Sequence, residues 1–404
     1  MQTASSPNPA LPAADLPRLA SLMLNVAHAF DHMFLLIFAT AVVSIASEFG
    51  FAQWEDLMPY GVGAFIMFGA GSLPSGRLGD LWGRRRMMVV FFFGMGAASL
   101  LTAATQNAWQ LAATLSLIGL FASIYHPVGI PMLVQRSANP GAVIGINGLA
   151  GNMGVAGAAL LTGFLVKEVG WRAAFIVPGL LSMACGLFFL ATCPPEAHAP
   201  ARRKSTSASV ELPPATLARV LTVMTAAGVT GSLLFNFLTN GNSQLLSERF
   251  RGLIEDPASL GLLLAIVYAV ASLTQIGVGR LIDRMPLKPL YLWITAFQIP
   301  MLALAAYAQG WWLFAALLGA MMGIFGAVPF TDAVIVRYVD DRMRSRVSGV
   351  RLTISLGVSS LAVWLLGPLV KGMGFSTLLL ALAVIAAATS AIVLLLPPER
   401  RRPA

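Results

Sequence analysis

The sequence predicts an all-α polytopic membrane protein with twelve transmembrane helices in two pseudo-symmetric six-helix bundles. Apolar residues make up 57% of the 404 residues and charged residues only 11%, whereas soluble domains carry roughly 25% charged residues. The apolar residues also form stretches of the roughly 20 residues that cross a bilayer. One long polar interruption divides these stretches into six and six. This composition excludes a soluble enzyme, a nucleic-acid-binding protein and a disordered scaffold.

Each predicted span is an apolar stretch that ends at a short polar or Gly/Pro turn. In chain order the spans cover residues 19–47, 56–79, 87–105, 108–136, 142–167, 172–193, 216–246, 258–282, 288–308, 311–337, 346–370 and 374–396. The interruption at 194–215 begins with two prolines and is rich in Arg, Lys, Ser and Thr, which is typical of a flexible linker. We therefore predict an N-terminal bundle over 18–193 and a C-terminal bundle over 216–396.

The distribution of basic residues predicts the orientation of the chain, because cytoplasmic loops carry an excess of Lys and Arg. If both termini are cytoplasmic, 21 of the 26 Lys and Arg residues lie on the cytoplasmic side. The five on the outer side are Lys167, Arg172, Arg249, Arg251 and Lys371. The tails at 1–17 and 397–404 are then cytoplasmic, and the first lacks the pattern of a signal peptide. We expect a multi-pass protein of a bacterial plasma (inner) membrane.

The two halves of the chain echo each other. Gly-Arg-Leu-Gly-Asp at 76–80 is followed 203 residues later by Gly-Arg-Leu-Ile-Asp at 279–283. Val-Ile-Gly-Ile-Asn at 143–147 matches Val-Ser-Gly-Val-Arg at 347–351, at an offset of 204. Two matches at nearly one offset indicate a duplicated six-helix unit, an arrangement suited to alternating access around a central site.

The loop after span 2 carries a recognisable motif. Residues 76–86 read Gly-Arg-Leu-Gly-Asp-Leu-Trp-Gly-Arg-Arg-Arg, which resembles the loop 2–3 signature of the major facilitator superfamily. The resemblance implies that family's fold, secondary transport, and a gating aspartate that faces the N-terminus of span 11 near Ser345. Glycines in the motif would permit a tight turn and close approach, while its arginines serve the gate or only the topology. The gating candidates are Gly76, Asp80, Gly83, Arg84, Arg85 and, in the second copy, Asp283.

Span 4 contains a second motif, Tyr125-His126-Pro127-Val128-Gly129. It resembles the fosmidomycin-resistance-like branch of exporters, which implies a small anionic or polar substrate. The usual multidrug branch carries an Arg four residues before a Gly in span 4, where this chain has Leu115 before Gly119. Pro127 predicts a kink, so His126 either lines the cavity or satisfies backbone groups that the kink frees.

Ionisable residues inside spans are costly and are therefore candidates for function. Span 1 places Asn25, His28, Asp31 and His32 on one face, with Asp31 roughly 18 Å along the helix, near the midplane. A carboxylate beside two imidazoles can exchange protons near neutral pH. The alternative is a buried structural network between spans 1 and 5.

Further polar candidates for substrate binding or proton coupling lie in other spans: Tyr125, His126, Asn147, Asn236, Gln275 and Arg351. A guanidinium at position 351 would bind an anionic substrate through its forked donors, or else anchor span 11 at the cytoplasmic surface. The polar run between Asn236 and Gln244 predicts either a loosened helix that forms an outer gate or a solvated helix end.

No nucleotide-binding loop, metal-ligand cluster or catalytic nucleophile is visible, and Cys185 and Cys193 are expected to be small core residues. We therefore predict no enzyme, no cofactor and no bound metal. The prediction is a monomeric, proton-coupled secondary transporter of a small anionic or polar solute, with export favoured. Its partners are substrate, protons and lipids, not nucleic acid. An uptake symporter for an organic anion or metabolite, and a transporter-like receptor or assembly partner, remain alternatives.

Overall fold

The structure is a computed structural model that describes residues 16–134, 140–195, 214–338 and 341–397. Helices account for nearly all of these residues, and the described ranges contain no strand. The first six spanning helices are α1 Arg18–Glu48, α2 Val62–Trp82, α3 Arg84–Ala103, α4 Ala108–Ala122 with its continuation Ile130–Val134, α5 Pro140–Glu168 and α6 Trp171–Thr192. Two short helical turns, Trp54–Leu57 and Met58–Gly61, lead into α2.

The second half begins with α7 Pro214–Arg249, α8 Pro257–Arg284, α9 Leu287–Tyr307 and α10 Gly310–Tyr338. The remaining helix, Asp341–Leu394, is interrupted at Gly374, whose φ of 75° and ψ of 166° are not helical. We call its two parts α11 (341–373) and α12 (375–394). Within the described residues, eleven helices are long and apolar enough to cross a membrane, and the last of them is 42 residues long. The break at Gly374 divides that last helix, which brings the number of spans to the predicted twelve.

Successive helices run in opposite directions, so the turns between them lie alternately at the two ends of the molecule. We call the end with the α2–α3 turn at Gly83 the terminal end, because the described chain also starts and finishes there. The other end, with the turn at Gly374, is the opposite end. Both glycines have positive φ, 96° at Gly83 and 75° at Gly374, a conformation that side chains disfavour.

The outer surface of the helical array is apolar, as a lipid-facing surface requires. Trp293 and Trp312 each expose 75% of their surface, and many Leu, Val and Phe side chains are exposed along the helices. Helix α1 lies in the interior, where its residues Phe34, Ile37 and Val42 are essentially buried. The predicted fold class, an all-helical integral membrane protein, is confirmed, and the described helices are consistent with twelve spans.

The terminal end shows the duplication of the chain in its side-chain contacts. Arg85, at the start of α3, donates hydrogen bonds to the carbonyl oxygens of Leu190 (2.8 Å) and Cys193 (2.7 Å) at the end of α6. Lys288 lies 203 residues later, at the start of α9. Its ammonium group donates to the carbonyl oxygens of Leu394 and Leu396 at the end of α12, both at 2.7 Å. Each half thus uses one cation to satisfy the carbonyls that a helix end leaves unpaired.

Several sequence predictions fall on parts of the chain that are not described. The tail at 1–15, residues 196–213 of the predicted linker and the tail at 398–404 lie outside the described residues. The backbone positions of Asp283 and Arg351 are helical, but their side chains are also outside the described part. Neither cysteine forms a disulfide with another described residue; Cys193 is buried and Cys185 partly so.

Candidate functional site

A buried polar cluster lies where α1, α4 and α5 meet in the first bundle. It contains seven of the candidates that the sequence singled out individually: Asn25, His28, Asp31, His32, Tyr125, His126 and Asn147. The first four occupy one face of α1, since residues three and four apart are neighbours on a helix. Tyr125 and His126 come from α4, and Asn147 comes from α5.

Asn147 links the three helices. Its side-chain amide donates to Asn25 Oδ1 at 2.9 Å and to the Tyr125 hydroxyl at 2.6 Å. Its backbone carbonyl lies 2.7 Å from His28 Nδ1. Because a carbonyl only accepts, His28 must carry its proton on Nδ1 and, when neutral, must present a lone pair at Nε2.

Asp31 is fully buried within the cluster, with no exposed surface. His126 Nε2 lies 3.3 Å from Asp31 Oδ2, and the His126 side chain keeps 19% of its surface exposed. Neither carboxylate oxygen has a hydrogen-bond donor among the described residues. A buried charge with so few donors costs free energy. The pair can lower that cost either by keeping a positive imidazolium beside the carboxylate or by placing a proton on it.

Three imidazole rings gather beside this carboxylate, and His126 is the one that contacts it. His28 Nε2 and His32 Nε2 are 3.2 Å apart, and the rings of His28 and His126 meet edge to face with centroids 5.1 Å apart. A ligand nitrogen from each ring lies within 4.8 Å of the other two. The sequence predicted no metal-ligand cluster, and in this respect it was wrong. His126 is distant from His28 and His32 in the chain, so only the packing of α4 against α1 reveals the group.

Glycines in α5 allow this close packing. A methyl group at position 154 would overlap the carbonyl oxygen of Ala29, and one at position 151 would lie 2.7 Å from the ring of His28. At position 157 a methyl group would meet nothing within 4 Å. The glycine-rich stretch of α5 therefore has specific contacts with α1 at two positions and none at a third.

The kink predicted at Pro127 is a single π-helical turn, Tyr125–Gly129. Proline has no N–H to donate and its ring disturbs the preceding turn, and such turns are frequent at functional sites. The turn brings Tyr125 and His126 into the cluster. Two glycines of α2 pack against it: a methyl group at Gly76 would lie 3.2 Å from Pro127 Cβ, and one at Gly79 would lie 2.9 Å from Val128.

The residues of the motif around Asp80 serve different purposes: one forms the turn between α2 and α3, and others contact neighbouring helices. The tight turn requires only Gly83, whereas Gly76 lies inside α2, so its predicted part in the turn is wrong and its close approach is to α4. Asp80 is exposed and has no hydrogen bond or ion pair with any other described side chain. Arg85 binds the end of α6, and Arg84 is partly buried.

The remaining candidates lie outside the cluster. Asn236 donates to Ser359 Oγ at 2.8 Å, joining α7 to α11. Gln275 on α8 lies near α5, where a methyl group at Gly148 would be 3.7 Å from its Oε1. Helix α11 begins at Asp341 rather than near Ser345. Arg351 is therefore ten residues into it, or about 15 Å of helix, instead of six.

The predictions for the polar run of α7 were wrong. Helix α7 continues without a break to Arg249, so it is not loosened. Asn236, Asn240 and Asn242 expose at most 6% of their surface, so they do not form a solvated end. Their side chains are held by hydrogen bonds instead, for example from Asn242 to the Tyr268 hydroxyl at 3.2 Å. Gln244 donates to the carbonyl oxygen of Ala39 and so joins α7 to α1 of the other bundle.

The opposite end is closed by two matching contacts between the bundles. In the first, Gly163 of α5 faces the start of α8, where a methyl group would lie 2.5 Å from the Pro257 carbonyl oxygen. One turn further, Lys167 Nζ lies 3.0 Å from Asp256 Oδ1.

In the second, a methyl group at Gly367 of α11 would overlap the Glu55 carbonyl oxygen, and Lys371 Nζ lies 2.6 Å from Asp56 Oδ1. This pair of contacts was not predicted from the sequence. The signal was present, because Gly-Phe-Leu-Val-Lys at 163–167 recurs as Gly-Pro-Leu-Val-Lys at 367–371, again at an offset of 204.

The family follows from comparison with known proteins. The profile of the Major Facilitator Superfamily matches residues 24–249 and 251–404. The chain belongs to the Major Facilitator Superfamily. The resemblance inferred from residues 76–86 is thereby confirmed, as is the prediction that the protein is a non-enzymatic membrane transporter. Assignment to the fosmidomycin-resistance-like branch stays a prediction.

Two relatives come from Streptomyces. The chain is 32% identical over 151 residues to a probable actinorhodin transporter of Streptomyces coelicolor, across 35% of this chain and 26% of that protein. It is 32% identical over 110 residues to the puromycin resistance protein pur8 of Streptomyces alboniger, across 26% of this chain and 22% of that protein. The matches therefore span about a quarter of the length of these relatives.

Solved structures share the fold. A bacterial homologue of the human lysosomal transporter Spinster, in an inward-facing and occupied conformation, superposes with a TM-score of 0.75 at 15% identity. The alignment covers 93% of this chain and 96% of that one. The same homologue in an inward-facing, unoccupied conformation gives a TM-score of 0.67 at 14% identity, across 93% of this chain and 94% of that one.

Proposed function

We propose that the protein is a proton-coupled secondary active transporter that exports a small anionic or polar organic solute by alternating access. The Asp31–His126 pair is the coupling site. The second bundle, including Asn236 and Gln275, contributes to substrate binding opposite it. The terminal end faces the cytoplasm, in keeping with the 21 Lys and Arg residues assigned to that side.

The observation that carries this proposal is the burial of Asp31. A carboxylate inside a transmembrane helix is expensive and marks ion pathways and proton relays. Here the carboxylate has one basic partner, His126, at 3.3 Å. That partner keeps some exposed surface while Asp31 has none, so protons reach the carboxylate through the imidazole. Protonation of the pair would exchange an internal ion pair for neutral or singly charged groups, which alters the contacts between α1 and α4.

Export is supported by the two relatives, whose names describe a transporter of actinorhodin and a protein of puromycin resistance. An exporter driven by protons works as an antiporter: protons enter from outside while the substrate leaves. Closed contacts at the opposite end, with Asp80 exposed at the terminal end, support a state open toward the cytoplasm. In the alternate state Asp80 would engage the N-terminus of α11, which carries partial positive charge.

The test replaces the carboxylate. In proteoliposomes, Asp31→Asn should abolish substrate accumulation driven by a proton gradient while leaving exchange of substrate down its own gradient. The reason is that the amide cannot take up or release a proton in this pH range. Transport is measured with a panel of labelled organic anions and neutral antibiotics, with and without an imposed pH difference.

Glu248→Gln is the matched control, because that carboxylate is exposed at the end of α7 and should keep full coupling. If Asp31→Asn still concentrates substrate with a normal response to the pH gradient, Asp31 is structural and the coupling proposal fails. Movement of substrate in the same direction as protons would instead identify an uptake symporter.

A further inference from the structure

We infer that His28, His32 and His126 form a binding site for a divalent transition-metal ion of the zinc class, beside the carboxylate of Asp31. Three of the four histidines in the chain converge at this point. The inference goes beyond transport, and it does not depend on the direction or the coupling proposed above.

The ligand atoms have the spacing that such an ion requires. Two ligands at about 2.05 Å from a tetrahedral Zn²⁺ lie about 3.3 Å apart. The structure has 3.2 Å between His28 Nε2 and His32 Nε2. The three imidazole ligand atoms all lie within 4.8 Å of one another, so only small side-chain rotations separate them from a common centre.

The helices supply these ligands in a pattern that suits metal binding. His28 and His32 are four residues apart, so they lie on one face of α1, the spacing found in helical zinc sites. The third imidazole comes from the π-helical turn of α4, which is a separate element. An ion bound there would cross-link α1 to α4.

A hydrogen bond to α5 fixes the orientation of His28 as a ligand. His28 Nδ1 donates to the carbonyl oxygen of Asn147 at 2.7 Å, the kind of outer contact that fixes the tautomer of a metal-binding imidazole. The lone pair on Nε2 then faces His32, where an ion would sit. Without an ion, the two Nε2 atoms can share only one hydrogen bond.

The neighbouring carboxylate explains why a cation is favoured. Asp31 is fully buried and neither of its oxygens accepts a hydrogen bond from the described residues. A divalent ion on the adjacent imidazoles would offset the charge of that carboxylate. Three imidazoles favour Zn²⁺, Co²⁺ or Ni²⁺ over Mg²⁺ and Ca²⁺, which prefer oxygen ligands. His32 and His126 keep exposed surface, so an ion can reach the site.

Binding can be measured without any transport assay. The full chain, purified in detergent with an affinity tag that contains no histidine, is stripped with a chelator and titrated with Co²⁺ and Zn²⁺. We expect one equivalent of Co²⁺ to give the visible absorption of tetrahedral cobalt, and Zn²⁺ to displace it. His126→Ala should weaken Zn²⁺ binding by about 100-fold or more, since loss of even an outer-shell partner costs about 10- to 100-fold.

The matched control is His198→Ala, which removes the remaining histidine and should leave the affinity unchanged. His28 is buried, so its replacement can impair folding; X-ray absorption of the Zn²⁺-loaded wild-type protein avoids that difficulty. It should show three imidazole nitrogens and one oxygen. Absence of stoichiometric binding, sulfur ligation by the cysteines, or equal losses in His126→Ala and His198→Ala would each overturn the site. None of these results bears on Asp31→Asn in the transport assay, so the two proposals fail independently.

Discussion

At the scale of single residues, the buried cluster shows how far a sequence can go. Asn25, His28, Asp31 and His32 stand out because they interrupt an apolar helix at helical spacing, and their shared face follows from geometry alone. Their partners could not be predicted in the same way. Asn147 is over a hundred residues away, and its contact with Asn25 depends on how α5 packs against α1, which no local pattern records.

Arg85 is a residue that was singled out in the sequence but whose role was left open between a gate and a topology signal. In the structure its guanidinium group satisfies two carbonyl oxygens at the end of α6. Arg85→Ala should therefore lower the free energy of unfolding by about 1.5–3 kcal/mol, the range for hydrogen bonds to charged groups. Thermal unfolding in detergent measures the loss.

The control for Arg85 is its exposed neighbour Arg86. Arg86→Ala should change stability by less than about 0.5 kcal/mol, as surface substitutions usually do. Arg85→Lys should recover part of the stability, because it keeps the charge but loses the fork that reaches two carbonyls. Equal effects of Arg85→Ala and Arg86→Ala would mean that both arginines act only in topology.

At the scale of elements, the positions of the helices could be predicted from the sequence, whereas local departures from regular helix could not. Apolar stretches of sufficient length predicted all the spans, since only a helix satisfies its backbone groups within lipid. The π-helical turn in α4 was foreseen only as a kink at Pro127. The unbroken course of α7 was missed, because its asparagines looked solvated in isolation but are buried by α1, α8 and α11.

The packing of α5 on α1 gives a prediction at this scale. Gly154→Ala would push a methyl group into the Ala29 carbonyl oxygen, so α5 must move away and the cluster around Asn147 must loosen. We expect a loss of about 1–3 kcal/mol, which is typical of overpacking. Thermal unfolding and the reactivity of a cysteine at position 147 both report the change.

Gly157→Ala is a close control, three residues along the same helix with nothing within 4 Å of the added methyl group. Alanine is a better helix former than glycine by about 1 kcal/mol, so this variant should be neutral or slightly more stable. If Gly157→Ala is as harmful as Gly154→Ala, the close approach to Ala29 is not what requires glycine.

At the scale of the whole molecule, the duplication explains how the opposite end closes. The two Gly-x-Leu-Val-Lys segments place a glycine and a lysine at equivalent points of α5 and α11, and each meets the start of a helix in the other bundle. Exposed ion pairs contribute only about 0.2–1 kcal/mol each. Close packing of the helices at Gly163 and Gly367 therefore contributes most of the stability of the closed end. The lysines help to fix how the two bundles align.

The proposed proton coupling would not act through the Lys167–Asp256 contact of this closure. Hydrogen bonds from Ser259, together with the ion pair with Lys167, lower the pKa of Asp256 to about 2. Because this value lies below the unfolded pKa of about 3.9, the favourable contribution is complete above about pH 4 and is lost only as the pH falls toward 2. The contact between Lys167 and Asp256 stays charged across the range in which a proton gradient acts, which is consistent with the proposal that coupling resides in the buried cluster.

Alternating access requires the opposite end to open in each cycle, and this yields the last prediction. In a background with Cys185→Ser and Cys193→Ser, the pair Lys167→Cys and Asp256→Cys is joined by a short, reducible thiol cross-linker. Cross-linking should stop transport, by about 10-fold or more for a step that every cycle must pass, and reduction should restore it. The control pair, Glu48→Cys and Arg172→Cys, lies at the same end but within one bundle. It should keep its activity when cross-linked, because a bundle that moves as a unit never separates these positions. Full transport by the cross-linked 167–256 pair would show that the end closed by Gly163 and Lys167 never opens, and that the two bundles do not rock about the cluster.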